Sequence, residues 1–84
     1  MQISKTTLNY ASKRNIEVVI EEGIAFFYES DNDCEPMFTY NVESDGLHYK
    51  GNIYLKQEVK EELPAWIKDE KHLRQVIDFL AKNI

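Results

Sequence analysis

Residues 16–29 read IEVVIEEGIAFFYE, and the phase of that stretch decides which side chains the fold buries. Ile16, Val18 and Ile20 alternate with Glu17 and Val19, a period of two that predicts a strand rather than a helix. Glu21-Glu22-Gly23 then separates this strand from a second apolar run, Ile24 to Glu29. A three-residue connection ending in glycine suits a type I turn that closes in the left-handed region, where a glycine pays no steric cost. The expectation is a β-hairpin, and the competing reading is one long strand with a bulge at Gly23. With a three-residue turn, Ile24 and Phe26 join Ile16 and Val18 on one face, and Val19 and Phe27 lie opposite. Apolar residues on both faces imply that the second face is covered by the N-terminal segment or used for a partner.

Outward from the hairpin, Ser30 to Pro36 reads as a polar loop. Pro36 cannot donate to a ladder, so pairing is expected to resume at Met37. Met37 to Val42 alternates again, with Phe38, Tyr40 and Val42 on one face. Glu43-Ser44-Asp45-Gly46 is a turn, followed by a strand from Leu47 to about Gln57 with Leu47, Tyr49, Ile53 and Leu55 sharing a face. A turn at Gly51-Asn52 is the alternative, so either four or five strands are expected.

At the C-terminal end, Trp66, Leu73, Val76, Ile77, Leu80 and Ile84 fall on one helical stripe at 100° per residue, with Pro64 suited to the first helical position. Asp69 and Glu70 interrupt that stripe, so a short turn from Pro64 to Lys68 and a helix capped at Asp69 explain the pattern better. Near the start, Ser4 is a candidate N-cap for a short helix to about Arg14, with Leu8 and Ala11 facing inward and Asn15 as its stop. Thr6 and Thr7 are poor helix formers, which leaves an extended arm as the alternative. The expected fold is α+β: a small antiparallel meander of four or five strands with a C-terminal helix on one face and a short N-terminal helix.

Eighty-four residues are the length of one small domain. Cys34 is the one cysteine, so no internal disulfide forms, and this fits a reducing compartment; a cytoplasmic protein is expected. No apolar run approaches the roughly 20 residues of a membrane span, and the N-terminus lacks the apolar core of a signal peptide.

The net charge of −5 is unevenly spread. Between Asn15 and Tyr49 there are nine carboxylates and no Lys or Arg, so the predicted sheet is also the acidic part of the molecule. In a meander, Glu21, Glu22, Glu43 and Asp45 gather at one end and Glu29, Asp31, Asp33 and Glu35 at the other. Such charge repels phosphate backbones and attracts basic proteins. These eight acids, with Phe38 and Tyr40 as apolar anchors and Tyr28 beside them, are the candidate partner-binding residues. Solvated carboxylates on turns are the plainer explanation of the same pattern.

Other chemistries fit poorly. Asp31-Asn32-Asp33-Cys34-Glu35 opens like a calcium loop, but Pro36 stands where the EF-hand requires Gly and Val42 where it requires the bidentate Glu. Cys34 sits between two acids, which raise a thiol pKa and make it a poor nucleophile. His48 and His72 lie on separate elements without partners at metal-ligand spacing. Lys68, Lys71, Arg74 and Lys82 give the last helix a basic outer face that reads as solvated. No catalytic, cofactor or metal motif is visible, and direct nucleic-acid binding is disfavoured by the net charge.

In size, charge and sheet-plus-helix pattern the chain is similar to phage-encoded inhibitors such as anti-CRISPR proteins and the uracil-DNA glycosylase inhibitor. The resemblance carries no residue across; it implies a binding protein that presents carboxylates to a nucleic-acid-binding surface. The expectation from a different class is a structural or regulatory module that homo-oligomerises, for example as a homodimer, through the spare apolar sheet face or an edge strand, with Phe27 on that face as the residue whose change to a charge discriminates.

Overall fold

The computed structural model describes residues 1–32 and 34–84. Five antiparallel strands, β1 (Ile16–Glu21), β2 (Ile24–Glu29), β3 (Phe38–Glu43), β4 (Gly46–Asn52) and β5 (Trp66–Ile67), form one sheet in sequence order. Among the described residues three helices accompany it: α1 (Lys5–Ser12), α2 (Gln57–Glu61) and α3 (Glu70–Asn83). This is the expected α+β meander with its C-terminal and N-terminal helices, and among the described residues no helix is long and apolar enough to cross a membrane.

Local chemistry sets the helix ends. Ser4 Oγ accepts from the Thr7 amide at 3.4 Å, and Asp69 Oδ1 accepts from the His72 amide at 2.8 Å, so both caps satisfy a donor that the first helical turn leaves free. After α1 the chain reverses through Asn15 at φ 63°, a left-handed conformation that Asn tolerates better than most residues.

The hairpin between β1 and β2 differs from the expected three-residue turn. Glu21 pairs with Ile24, and the connection is the two residues Glu22 and Gly23, at φ 49° and 77°. Two positive φ values define a type I′ turn, whose twist matches that of the flanking strands. Shortening the turn by one residue flips every side chain of β2 to the other face. Ala25 and Phe27 are therefore fully buried with Ile16, and Ile24, Phe26 and Tyr28 share the opposite face with Glu17, Val19 and Glu21.

Further along, the fifth strand arises differently from either expectation. β4 ends at Asn52, whose side chain accepts from the Leu55 amide at 3.0 Å and donates to the Leu55 carbonyl at 3.1 Å. That pair of bonds turns the chain off the sheet into α2, which buries Leu55 and Val59 and leaves Ile53 exposed. Trp66 and Ile67 then return as β5, pairing with His48 and Leu47. Trp66 is thus a strand residue and does not lie on the helical stripe.

The core lies between the helices and one face of the sheet. Phe27 and Phe38 stack with centroids 4.6 Å apart, and Tyr40 meets both edge-on, geometries that add about 0.5–1.5 kcal/mol per pair beyond area burial. Around them pack Ala11, Ile16, Met37, Leu47, Ile67, Leu73, Ile77 and Leu80. The Tyr40 hydroxyl donates to the Pro64 carbonyl at 2.6 Å. Polar contacts fasten α1 to α3: the Ser4 amide donates to Glu70 at 2.6 Å, Arg74 donates to Thr7 Oγ1 at 3.1 Å, and Tyr10 and Arg14 both donate to Asp78.

Candidate functional site

With the helices on one side, the other face of the sheet stays open, and the ladder register states what it displays. One row runs across all five strands as Glu21, Ile24, Asn41, His48 and Trp66; the next runs as Val19, Phe26, Thr39 and Gly51. Glu17 and Tyr28 pair beyond the second row, and Glu43 and Gly46 pair beyond the first. Val19, Ile24 and Phe26 on one side and Trp66 on the other supply its apolar and aromatic parts, Thr39 and Asn41 lie between them on the central strand, and Glu17, Glu21 and Glu43 edge it. Val19 is 39% exposed and Trp66 48%.

A small polar cluster fixes the Trp66 corner. The Trp66 indole donates through Nε1 to the Asp45 carbonyl at 3.0 Å, and the His48 ring stacks against it at 18° with centroids 6.4 Å apart. His48 Nε2 lies 2.9 Å from Asp45 Oδ1, and that hydrogen bond holds the Asp45 carboxyl below the usual carboxylate range. Gly46 lies beneath the indole at φ 140°, where an added Cβ would stand 2.3 Å from the Ile67 carbonyl oxygen. The terminal amine of Met1 donates to the Glu43 carbonyl.

The expected binding residues divide into three sets. Glu21, Glu22, Glu43 and Asp45 are exposed at one end of the sheet, where a 2.8 Å bond from the Val42 amide to the Gly23 carbonyl holds the two turns side by side. Glu29, Asp31 and Glu35 lie at the far end. Glu29 is half-buried there on the helix side and accepts from the Tyr54 hydroxyl at 3.0 Å. Asp33, and with it the calcium-loop reading, lies outside the described residues. Phe38 and Tyr40 form the third set: both are fully buried, so in the folded chain they build the core and cannot anchor a partner. Phe27, expected on a spare face, is buried in the core as well.

Ile24, Phe26 and Trp66 are the surface residues that the sequence pattern did not single out, and His48 joins them as the surface histidine it was expected to be. The parity of the Glu-Gly turn is the signal that points to the first two, because a two-residue connection puts them beside Val19. Among the described residues no three His, Cys, Asp or Glu side chains are placed to share a metal ion.

Compared with known proteins, the chain matches no family model, no curated protein and no solved structure.

Proposed function

We propose that this is a small non-enzymatic binding protein, an inhibitor or adaptor, which docks the open face of its sheet on a basic protein surface, one that otherwise holds nucleic acid. The observation that carries this reading is the pairing of an uncovered aromatic face with carboxylates along its edge, within a stretch that has no Lys or Arg from residue 15 to residue 49. Apolar area supplies affinity, and complementary charge supplies steering and register. Trp66 is the natural anchor: it is large, exposed and held rigid by Asp45 and His48. Glu21, Glu22, Glu43 and Asp45 supply the field. The cytoplasm, where such surfaces are plentiful, is the compartment this reading implies.

The test is quantitative binding to a partner captured at low salt. Changing Glu21, Glu22 and Glu43 to Gln and Asp45 to Asn together should weaken Kd by about tenfold or more and flatten its salt dependence. Trp66→Ala should cost about 2 kcal/mol. Unchanged affinity in both variants would refute the proposal.

Exposure of Val19, which pairs with Phe26 on the open face, supports a second reading, a homodimer through this face. Light scattering separates the two, because Val19→Lys should turn a dimer into a folded monomer. Phe27 is unsuited to that test, since a charge there would disrupt the core.

A further inference from the structure

We infer that the free edge of β1 takes up an extended, basic segment of the partner as a sixth strand, with Lys or Arg at positions i and i+4 and an apolar residue at i+2. The inference rests on the reading above that the partner is basic, and adds the mode of attachment and the pattern recognised.

The phase of the β1–β2 ladder shows which backbone groups are free. The Ser30 amide donates to the Asn15 carbonyl at 2.9 Å, continuing that ladder by one step. Bonded and non-bonded pairs alternate in an antiparallel ladder, so Glu17, Val19 and Glu21 turn their N–H and C=O toward β2. Val18 and Ile20 turn theirs away from it, and among the described residues no backbone bond closes on them. An edge of this kind is a template for strand addition.

Side chains supply the selectivity. Glu17, Val19 and Glu21 alternate onto the open face, where Glu17 also accepts from Ser12 Oγ at 3.3 Å, a bond that a cation opposite can share, and the two acidic residues are about 13 Å apart along the strand at the rise of an extended chain. An added strand in register sets its own same-face residues opposite them at the same spacing. Cations then meet Glu17 and Glu21, and the residue between them meets Val19. A second copy is a poor occupant, because antiparallel pairing of β1 with itself centred on Val19 brings Glu17 opposite Glu21, where like charges destabilise. At the opposite edge β5 has two residues, too few for the same recognition.

The probe is a blocked heptapeptide, Thr-Lys-Thr-Val-Thr-Lys-Thr, beside a control with Glu in place of Lys. Both are titrated at millimolar concentration into the isotopically labelled full chain, and amide shifts and hydrogen exchange are read residue by residue. The Lys peptide should shift and protect the Val18 and Ile20 amides, and the Glu peptide should not. Ile20→Pro removes an outward N–H that β2 does not use, a change edge strands tolerate, and should weaken binding about tenfold. Should that variant not fold, Glu17→Lys with Glu21→Lys leaves the edge intact and should reverse the preference to the Glu peptide. Lys-peptide shifts confined to Phe26, His48 and Trp66, with Ile20→Pro binding equally well, would overturn the edge inference and leave the basic-partner reading standing. Absence of binding to the wild-type chain would overturn the edge inference as well.

Discussion

Gly46 shows at the scale of one residue how the fold builds its exposed corner. Its φ of 140° and its contact with the Ile67 carbonyl and the Trp66 indole leave no room for a side chain. Gly46→Ala should therefore cost about 2 kcal/mol or more, measured by denaturant melting, and should quench or shift Trp66 fluorescence as the indole is displaced. Tyr49 works in the other direction. Its ring meets Tyr40 edge-on at 5.5 Å, but its hydroxyl is buried with no hydrogen-bond partner among the described residues, and burial raises its pKa. A buried polar group without a partner costs stability. Tyr49→Phe should raise stability by about 1 kcal/mol, and a clear loss in the same melt would mean that the hydroxyl is bonded in solution.

Between elements, the junction of α1 with α3 carries the pH dependence. Tyr10 and Arg14 both donate to the Asp78 carboxylate, at 2.7 and 2.9 Å. The Tyr10 bond first, and Arg14 with it, holds the Asp78 pKa below its ordinary value. Glu70 is lowered too, chiefly by the Ser4 amide. A carboxyl whose pKa falls on folding contributes stability above its unfolded value, about 3.9 for Asp, and loses it as pH drops through the folded value. Asp78→Asn should melt below wild type at neutral pH, and the gap should narrow below about pH 4. A gap that stays constant down to pH 2 would show that the pair contributes nothing through ionisation. At this scale the sequence was legible where a strong period met a cap, as in α3 with Asp69. It was not legible where one residue of turn length decided a whole strand's facing, as at Glu22-Gly23. Nor could α2 and β5 be read, because five residues and two residues are too few to carry a period and both are held by tertiary contacts.

Over the whole molecule, the acidic run was plain in the sequence, and the meander gathers Glu21, Glu22, Glu43 and Asp45 at one end of the sheet and Glu29, Asp31 and Glu35 at the other. The surface between those ends was hidden, because which apolar residues face outward depends on the hairpin phase. Phe38 and Tyr40 looked like anchors and are core; Trp66 looked like core and is the most exposed aromatic side chain of the open face. If the acids at the Glu22 and Asp45 turns serve a partner, the free protein bears their mutual repulsion. The measurement that tests this most directly is the melting temperature of the variant with Glu21, Glu22 and Glu43 changed to Gln, taken at low and at high salt. A binding surface predicts a rise of about 4–8 °C per kcal/mol of repulsion relieved, present at low salt and largely screened away at high salt. A fall at low salt would show that these carboxylates stabilise the fold itself, and would contradict the account.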